Sequence, residues 1–268
     1  MVNDDRINAD RFLGFADLYD SARPKCPEKV KEIILAYLGR TTSVVVDLGC
    51  GTGLSTIIWS DLSDQVIGIE PSTDMLRVAT EKASHLPNVS FLAGFSDQTG
   101  LADNSCDVIT CSQSFHWMNP ETTLREVSRI LRTGGIFAAY DCDWPPVCKW
   151  EAELAYDNLF KKVSEIESRR PENQRNYLKF DKEKHLSNMQ NSGIFRYQRE
   201  IVFANAETCD ARRFIAIALS QGGLQSILRT DREEILPDLQ TFEERVNDIF
   251  GTEVIRIEFC YRMRIGVK

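Results

Sequence analysis

The stretch that decides the fold is Val44–Gly53, which reads VVVDLGCGTG. A β-branched apolar run is typical of a buried strand. Glycines at alternate positions after it allow a sharp turn in which the backbone approaches a ligand without a Cβ clash. A second apolar strand, at 65–69, ends in Glu70, which stands 17 positions after Gly53. A strand, a glycine turn and an acid closing the next strand predict a site for the adenosine part of a cofactor, with the acid on the ribose hydroxyls.

The spacing of the glycines narrows the choice of cofactor. A dinucleotide site reads G-x-G-x-x-G, because the pyrophosphate sits on the helix N-terminus. Here the third glycine comes one residue early, and Leu54 takes the next position. No G-K-S or G-K-T follows, which excludes a nucleoside triphosphate loop. Asp47 stands inside the turn and favours a ligand that carries positive charge, since it would repel a pyrophosphate.

Residues 47–53 resemble motif I of the class I S-adenosylmethionine-dependent methyltransferases. Later segments resemble further motifs of that family, at 68–76, 94–97, 115–117 and 131–135. Segments 19–24 and 99–101 narrow the resemblance to small-molecule methyltransferases similar to trans-aconitate methyltransferase. The resemblance covers residues 12 to 142 and is thin beyond them.

The resemblance implies S-adenosyl-L-methionine as the cofactor and S-adenosyl-L-homocysteine as its product. Applied position by position, it also implies a set of cofactor-binding residues: Tyr19, Arg23, Asp47, Gly49, Cys50, Gly51, Glu70, Pro71, Met75, Phe95, Ser96, Asp97, Ser112 and Gln113. Many of these follow the ends of predicted strands. Because ligands of such sheets bind at the carboxyl ends of the strands, we expect these residues to converge on one cleft.

Strands and helices alternate through the first half of the chain, which predicts a parallel sheet with right-handed crossovers. With the resemblance, the expected fold is α/β, a Rossmann-like seven-stranded, mostly parallel sheet flanked by helices, with a helical cap from the C-terminal half. We expect an N-terminal helical segment at 1–40 that closes over the cofactor, a cofactor-binding core at 41–142, and cap helices with the last two strands at 143–268. The pattern predicts a helix at 54–61 and a fifth strand at 136–142.

His116 is the candidate catalytic residue, because it follows the fourth strand, where the methyl-accepting group should lie. An imidazole there could deprotonate or orient a nucleophile; the alternative is a packing histidine between Phe115 and Trp117, which are candidate substrate contacts. A carboxylate acceptor would need no base, since it is ionised at neutral pH. It would need a cationic anchor, and a guanidinium fits a carboxylate well. Candidate anchors lie in the predicted cap: Arg169, Arg170, Arg175, Arg212 and Arg213.

Composition limits the partners. The chain has 268 residues and a formal net charge of −8, which disfavours nucleic acid because phosphate contacts need a basic face. A small-molecule substrate is expected, and the oligomeric state is not readable. None of the eight cysteines forms a C-x-x-C pair, so no metal is expected. A polar start and the lack of a membrane-length apolar run predict a reduced, cytoplasmic protein without a membrane partner.

The sequence predicts O-methylation of a small carboxylate, but two other classes stay open. The chain could be a nucleic-acid or protein methyltransferase, which would require a basic surface assembled by folding. It could also be a non-catalytic S-adenosylmethionine-binding regulatory protein. Methyl transfer from labelled cofactor separates the last class from the enzymes, and the size of the substrate separates the two kinds of enzyme.

Overall fold

The structure is a computed structural model that describes residues 7–8, 13–170 and 177–268. Its strands are β1 (Thr42–Leu48), β2 (Ser63–Glu70), β3 (Val89–Ala93), β4 (Cys106–Ser112), β5 (Leu131–Cys142), β6 (Tyr197–Cys209) and β7 (Ile255–Val267). The helices of the described residues are α1 (Ala16–Ala22), α2 (Glu28–Leu38), α3 (Thr73–Lys82), α4 (Pro120–Ile130), α5 (Trp150–Arg169), α6 (His185–Asn191), α7 (Ala211–Leu219), α8 (Gly222–Thr230) and α9 (Arg232–Phe250).

The seven strands form one sheet in the order β3-β2-β1-β4-β5-β7-β6. Strands β1 to β5 are parallel to one another. Strand β7 is antiparallel to both of its neighbours, β5 and β6. The prediction of a seven-stranded, mostly parallel Rossmann-like sheet flanked by helices is therefore confirmed.

Both faces of the sheet are buried, as the apolar β-branched runs predict. Successive side chains of a strand point to opposite faces. Accordingly, Val45 and Val108 pack in one core, with α2 and the C-terminal helices. Val46 and Ile109 pack in the other, with α4. The first core continues into α5, α7, α8 and α9, so these helices share their apolar interior with one face of the sheet.

The order of the strands places the ligand site. After β1 the chain moves to β2 and β3 on one side, and then returns to β4 on the other side of β1. In open α/β sheets, the crevice at this change of direction lies outside the carboxyl ends of the strands and binds the ligand. Glu70 and Ser112 close β2 and β4 at that edge.

Asp107 fastens the opposite, amino-terminal edge of the sheet. Its Oδ1 accepts hydrogen bonds from Arg40 Nη2 at 2.6 Å and Arg132 Nη1 at 3.0 Å. Its Oδ2 accepts the backbone N–H groups of Ser43 at 2.8 Å and Val44 at 3.1 Å. Burial alone would raise the pKa of Asp107, but these donors outweigh it and lower the pKa to about 2. The carboxylate therefore joins the starts of β1 and β4.

Several predicted elements need correction. The helix predicted at 54–61 is a run of turns with a single 3₁₀ turn, Ile57–Trp59. The N–H groups of Thr56 and Ile57 both bond to the carbonyl of Gly53, which tightens the segment, and β2 starts at Ser63. Strand β5 begins earlier than predicted, at Leu131, and passes through the Gly134–Gly135 pair. Helix α8 was missed because it opens with two glycines, which are poor helix formers.

Among the helices of the described residues, none combines the length and apolar character needed to cross a bilayer.

Candidate active site

A cleft opens at the carboxyl ends of β1, β2 and β4 and encloses about 1120 Å³, its open mouth included. Most of the predicted site residues line it: Tyr19, Arg23, Gly49, Cys50, Gly51, Glu70, Pro71, Met75, Phe95, Ser96, Ser112, Gln113 and Trp117. Others do not: Asp47, Asp97, Phe115, His116, Arg169, Arg170 and Arg212.

The glycine turn after β1 uses its glycines in two ways. Gly49 has φ +65°, and a Cβ added there would lie 2.6 Å from Met118 Cε and 2.7 Å from Ser114 Cβ. Gly51 has φ +54°, and an added Cβ would meet nothing within 4 Å. Gly49 is therefore required by packing beneath the turn, whereas Gly51 keeps its space open for a ligand in the cleft.

We expect the two glycines to respond differently to alanine. Gly49→Ala should lower the free energy of unfolding by about 2–4 kcal/mol, because it adds overpacking to the strain of a left-handed residue. Gly51→Ala should cost only about 1–2 kcal/mol of stability but weaken S-adenosylhomocysteine binding at least tenfold. Urea unfolding and calorimetric titration measure the two effects. Equal losses of stability in both variants would contradict the distinction.

Glu70 is the acid that ends β2, and its orientation is fixed by the backbone. Its Oε2 accepts the N–H of Gly51 at 3.0 Å and its Oε1 accepts the N–H of Ser72 at 2.9 Å. Burial raises the pKa of Glu70 to about 7, against the lowering effect of these two N–H groups. Each carboxylate oxygen keeps a lone pair, so Glu70 can still accept hydrogen bonds from a vicinal diol.

Asp47 lies beneath the turn and is fully buried. Its Oδ2 accepts the hydroxyl of Thr56 at 2.7 Å and its Oδ1 accepts that of Thr110 at 2.8 Å. Burial raises the pKa of Asp47 to about 6, although both hydroxyls lower it. In this position Asp47 holds the turn to β4 and contributes negative potential below the cleft.

The residues after β2 and β3 form an apolar wall of the cleft. Met75 is buried at the start of α3, and Phe95 and Ser96 follow β3. The hydroxyl of Ser96 is 2.8 Å from that of Thr123, which fixes the turn. Asp97 lies in the same turn and is half-buried.

Gln113 follows β4 in the left-handed region, with φ +55°. Non-glycine residues adopt this conformation rarely, and strained positions of this kind concentrate at functional sites. Its N–H bonds to the carbonyl of Tyr140 at 2.8 Å, and its side-chain amide donates to the sulfur of Cys142 at 2.6 Å. The contacts with β5 hold Gln113 at the lining of the cleft.

Arg23 follows α1 and brings a guanidinium to the cleft. Its Cζ lies 4.6 Å from the ring centre of Tyr19 and 4.9 Å from that of Trp144. Nη2 donates to the carbonyl of Ser220 at 3.1 Å and to Gln221 Oε1 at 3.0 Å. Nε is buried and has no hydrogen-bond partner among the described residues. The guanidinium is thus held in place with a donor unused.

The predicted cap arginines are occupied elsewhere. Arg169 pairs with Glu234 at 2.6 Å. Arg170 bonds to Asp231, and Arg213 bonds to Glu207. Arg212 is exposed on α7, and Arg175 lies outside the described residues. The structure brings none of the four described candidate anchors to the cleft.

His116 lies outside the cleft lining, with its ring packed on that of Trp117 at 4.6 Å between centres. Its Nδ1 is 3.2 Å from Asp141 Oδ1. Burial lowers the pKa of His116 to about 3, against the opposing effect of Asp141. Burial likewise lowers the pKa of His185 to about 4. Both imidazoles are therefore neutral at physiological pH.

Sequence reasoning missed three residues on the sheet side of the cleft. Tyr140 of β5, Tyr261 of β7 and Cys26 line it, and the Tyr140 hydroxyl is 3.5 Å from the Cys26 sulfur. Burial raises the pKa of Cys26 to about 12, so its thiol stays protonated. The sequence signal for Tyr140 was its polar tip at the end of the apolar run of β5; Tyr261 lies among charged residues of β7 and gave no such signal.

The cleft fits S-adenosylmethionine, the cofactor that the sequence resemblance implies. Glu70 offers acceptors for the ribose diol, Gly51 leaves open the space that a Cβ would fill, and Met75 offers an apolar surface to the base. The hydroxyl of Thr52, a residue of the cleft lining, is buried and has no hydrogen-bond partner among the described residues.

Comparison with known proteins supports this assignment. Residues 46–139 match the family model described as "Methyltransferase domain". The yeast (Saccharomyces cerevisiae) protein CRG1, named as a probable S-adenosylmethionine-dependent methyltransferase, is 32% identical over 124 residues, which are 45% of this chain and 43% of CRG1. Malonyl-[acyl-carrier protein] O-methyltransferase of Marinomonas sp. is 33% identical over 131 residues, 47% of this chain and 48% of that protein. The match thus spans less than half the length of either relative.

A solved structure from Anaeromyxobacter dehalogenans, described as a candidate type II methyltransferase, has the same fold. It superposes on this protein with a TM-score of 0.65 and 19% sequence identity. The match covers 91% of this chain and 97% of the solved chain. Taken with the glycine turn and Glu70, these matches identify residues 46–139 as a methyltransferase domain on a class I fold, a domain whose cofactor is S-adenosylmethionine.

Proposed function

We propose that the protein transfers the methyl group of S-adenosylmethionine to the carboxylate of a small molecule. The observation that carries the proposal is the charge of the cleft. Among the described residues that line it, Glu70 and Arg23 are the only charged side chains. Glu70 suits the neutral diol of the ribose, and Arg23 suits a carboxylate, because a hydrogen bond from a guanidinium to a carboxylate is charge-assisted.

Methyl transfer to a carboxylate requires mainly that the protein position the cofactor and the acceptor. The bound sulfonium supplies an electrophilic methyl group with a good leaving group attached. A carboxylate is already ionised at neutral pH, so no general base is required. Alignment of two reactants in one site can lower the barrier by about 7–11 kcal/mol. Arg23, held by Ser220 and Gln221, would orient the acceptor, and the aromatic wall of Tyr19 and Trp117 would exclude water.

The names of two similar proteins favour an acid as the acceptor. The relative from Marinomonas is named as an O-methyltransferase of malonyl-[acyl-carrier protein], whose malonyl group is a short acid. Trans-aconitate methyltransferase, which the sequence resembles, is likewise named for a small acid.

The test is methyl transfer from S-adenosylmethionine labelled on the methyl group, with panels of small carboxylates, amines and phenols. We expect label in the carboxylate panel alone, released as volatile methanol on treatment with alkali, as a methyl ester requires. Transfer to amines alone would overturn the carboxylate assignment and leave the methyltransferase assignment intact. Failure of both transfer and S-adenosylhomocysteine binding would overturn the whole proposal.

Arg23→Gln tests the anchor. We expect the KM for the acceptor to rise at least tenfold while the affinity for S-adenosylhomocysteine is kept, because a charge-assisted hydrogen bond is lost. Arg212→Gln, on exposed α7 surface outside the cleft, is the matched control and should change neither value. A loss of S-adenosylhomocysteine affinity with an unchanged acceptor KM would assign Arg23 to the carboxylate of the cofactor instead.

A further inference from the structure

Two histidines and a carboxylate converge beside the cleft but outside its lining. His116 lies in the 3₁₀ turn after β4, Asp141 in β5, and His185 at the start of α6. Asp141 Oδ1 is 3.2 Å from His116 Nδ1, and Asp141 Oδ2 is 3.8 Å from His185 Nε2. Each residue offers one atom that could bind a metal ion, and these three atoms all lie within 4.8 Å of one another. All three side chains are buried.

The cluster lacks the hydrogen bonds that buried polar groups normally make. His185 is fully buried, and neither of its ring nitrogens has a hydrogen-bond partner among the described residues. His116 Nδ1 makes no hydrogen bond to a described residue either, although Asp141 Oδ1 lies 3.2 Å away. Buried polar atoms are almost always satisfied, and an exception points to a water, an ion or a functional role.

We infer that His116, Asp141 and His185 bind a divalent transition-metal ion. Two imidazoles and one carboxylate are donors that suit Zn²⁺, Co²⁺ or Ni²⁺, whereas Mg²⁺ and Ca²⁺ prefer oxygen ligands alone. The ligands come from three separate elements. The ion would therefore fasten α6 and the turn after β4 to β5, next to the residue Trp117 that lines the cleft.

Lys182 is the cation that such an ion would displace. Its Nζ is 2.9 Å from Asp141 Oδ1, and its side chain is 27% exposed, so it can turn out to solvent. Arg264 Nη1 lies 3.7 Å from Asp141 Oδ2, but its Nε is 2.8 Å from Glu200 Oε2, which balances its charge. The ammonium of Lys182 and a metal ion thus compete for the same carboxylate oxygen.

The test is titration of the purified full chain with Co²⁺, followed by calorimetry and visible absorption, and a thermal melt with and without Zn²⁺. We expect one Co²⁺ per chain, d–d bands without a thiolate charge-transfer band, and a higher Tm with Zn²⁺, because a ligand that binds only the folded state stabilises it. His185→Gln should lower Co²⁺ affinity at least tenfold and abolish the Zn²⁺ effect on Tm. His85→Gln, at the exposed third histidine, should change neither.

Lys182→Gln gives an independent test at a partly exposed side chain that should not disturb folding. Removing the competing ammonium should raise Co²⁺ affinity at least threefold. The inference is overturned if the wild type binds no Co²⁺, if His185→Gln binds it as tightly as the wild type, if a thiolate band shows that cysteines bind it, or if Lys182→Gln leaves the affinity unchanged or lowers it.

Discussion

Glu70→Gln is expected to weaken the binding of S-adenosylhomocysteine about a hundredfold. The carboxylate is fixed by the N–H groups of Gly51 and Ser72, and we propose that it accepts both ribose hydroxyls. Two charge-assisted hydrogen bonds contribute about 1.5–3 kcal/mol each, and a loss of about 3 kcal/mol corresponds to roughly a hundredfold in Kd. Isothermal titration calorimetry measures the change.

Asp64→Asn is the matched control, because Asp64 is an exposed acid on the same strand, β2. The affinity of Asp64→Asn for S-adenosylhomocysteine should equal that of the wild type. An affinity of Glu70→Gln within a few-fold of the wild type would show that the ribose is held elsewhere.

The same variant also changes how the stability of the ligand-free protein depends on pH. Burial raises the pKa of Glu70 from 4.5 to about 7, so the folded state holds this proton more tightly than the unfolded state. Glu70 therefore contributes roughly 3 kcal/mol to the free energy of unfolding. This contribution is fully present below about pH 4.5 and is lost as the pH rises through about 7. Glutamine does not titrate. The unfolding free energy of Glu70→Gln relative to wild type should thus increase between about pH 5 and about pH 8, as measured by urea unfolding.

Asp107→Ala is expected to lower the free energy of unfolding by about 3–5 kcal/mol. The variant removes a fully buried carboxylate and leaves its donors, Arg40, Arg132 and the N–H groups of Ser43 and Val44, without an acceptor. The pKa of Asp107 in the folded protein is about 2, below the ordinary 3.8. Its contribution to the free energy of unfolding is therefore present above about pH 4 and is lost as the pH falls through 2. Urea unfolding near pH 7 measures the full effect.

Asp103→Ala is the control for Asp107, since Asp103 also pairs with an arginine, Arg129, but its side chain is 70% exposed. It should cost no more than about 1 kcal/mol. S-adenosylhomocysteine affinity should be unchanged in both variants, because Asp107 lies at the start of β4 and the cleft at its end. A cost below about 1 kcal/mol for Asp107→Ala would show that the arginines and backbone groups find other partners.

The parts of the site that the sequence predicted are encoded locally. A buried strand, glycines with positive φ and an acid at the end of the next strand stand within 27 residues, at 44–70, and local spacing fixes their relation. The structure accordingly brings Gly51 and Glu70 into hydrogen-bond contact. The seven-stranded sheet was also predictable, because alternation of strands and helices leaves few arrangements.

The parts that the sequence missed depend on tertiary contacts. The helix predicted after Gly53 was replaced by turns, since Trp59 is buried in the core there and the chain enters β2 four residues later. Arg169 pairs with Glu234 of α9 and Arg170 with Asp231 just before it, contacts that no spacing rule anticipates. The cluster around Asp141 gathers side chains from positions 116, 141 and 185, so its residues show no ligand pattern in the sequence.

The insertion of β7 between β5 and β6 has a consequence for biosynthesis. A nascent chain emerges from its amino terminus, and β5 finds its neighbour on that side only when residues 255–267 have left the ribosome. Until then β5 presents an open strand edge, and β6 is separated from the rest of the sheet. Such edges promote aggregation. We therefore expect the growing polypeptide to depend on chaperones from the emergence of β5 until that of β7.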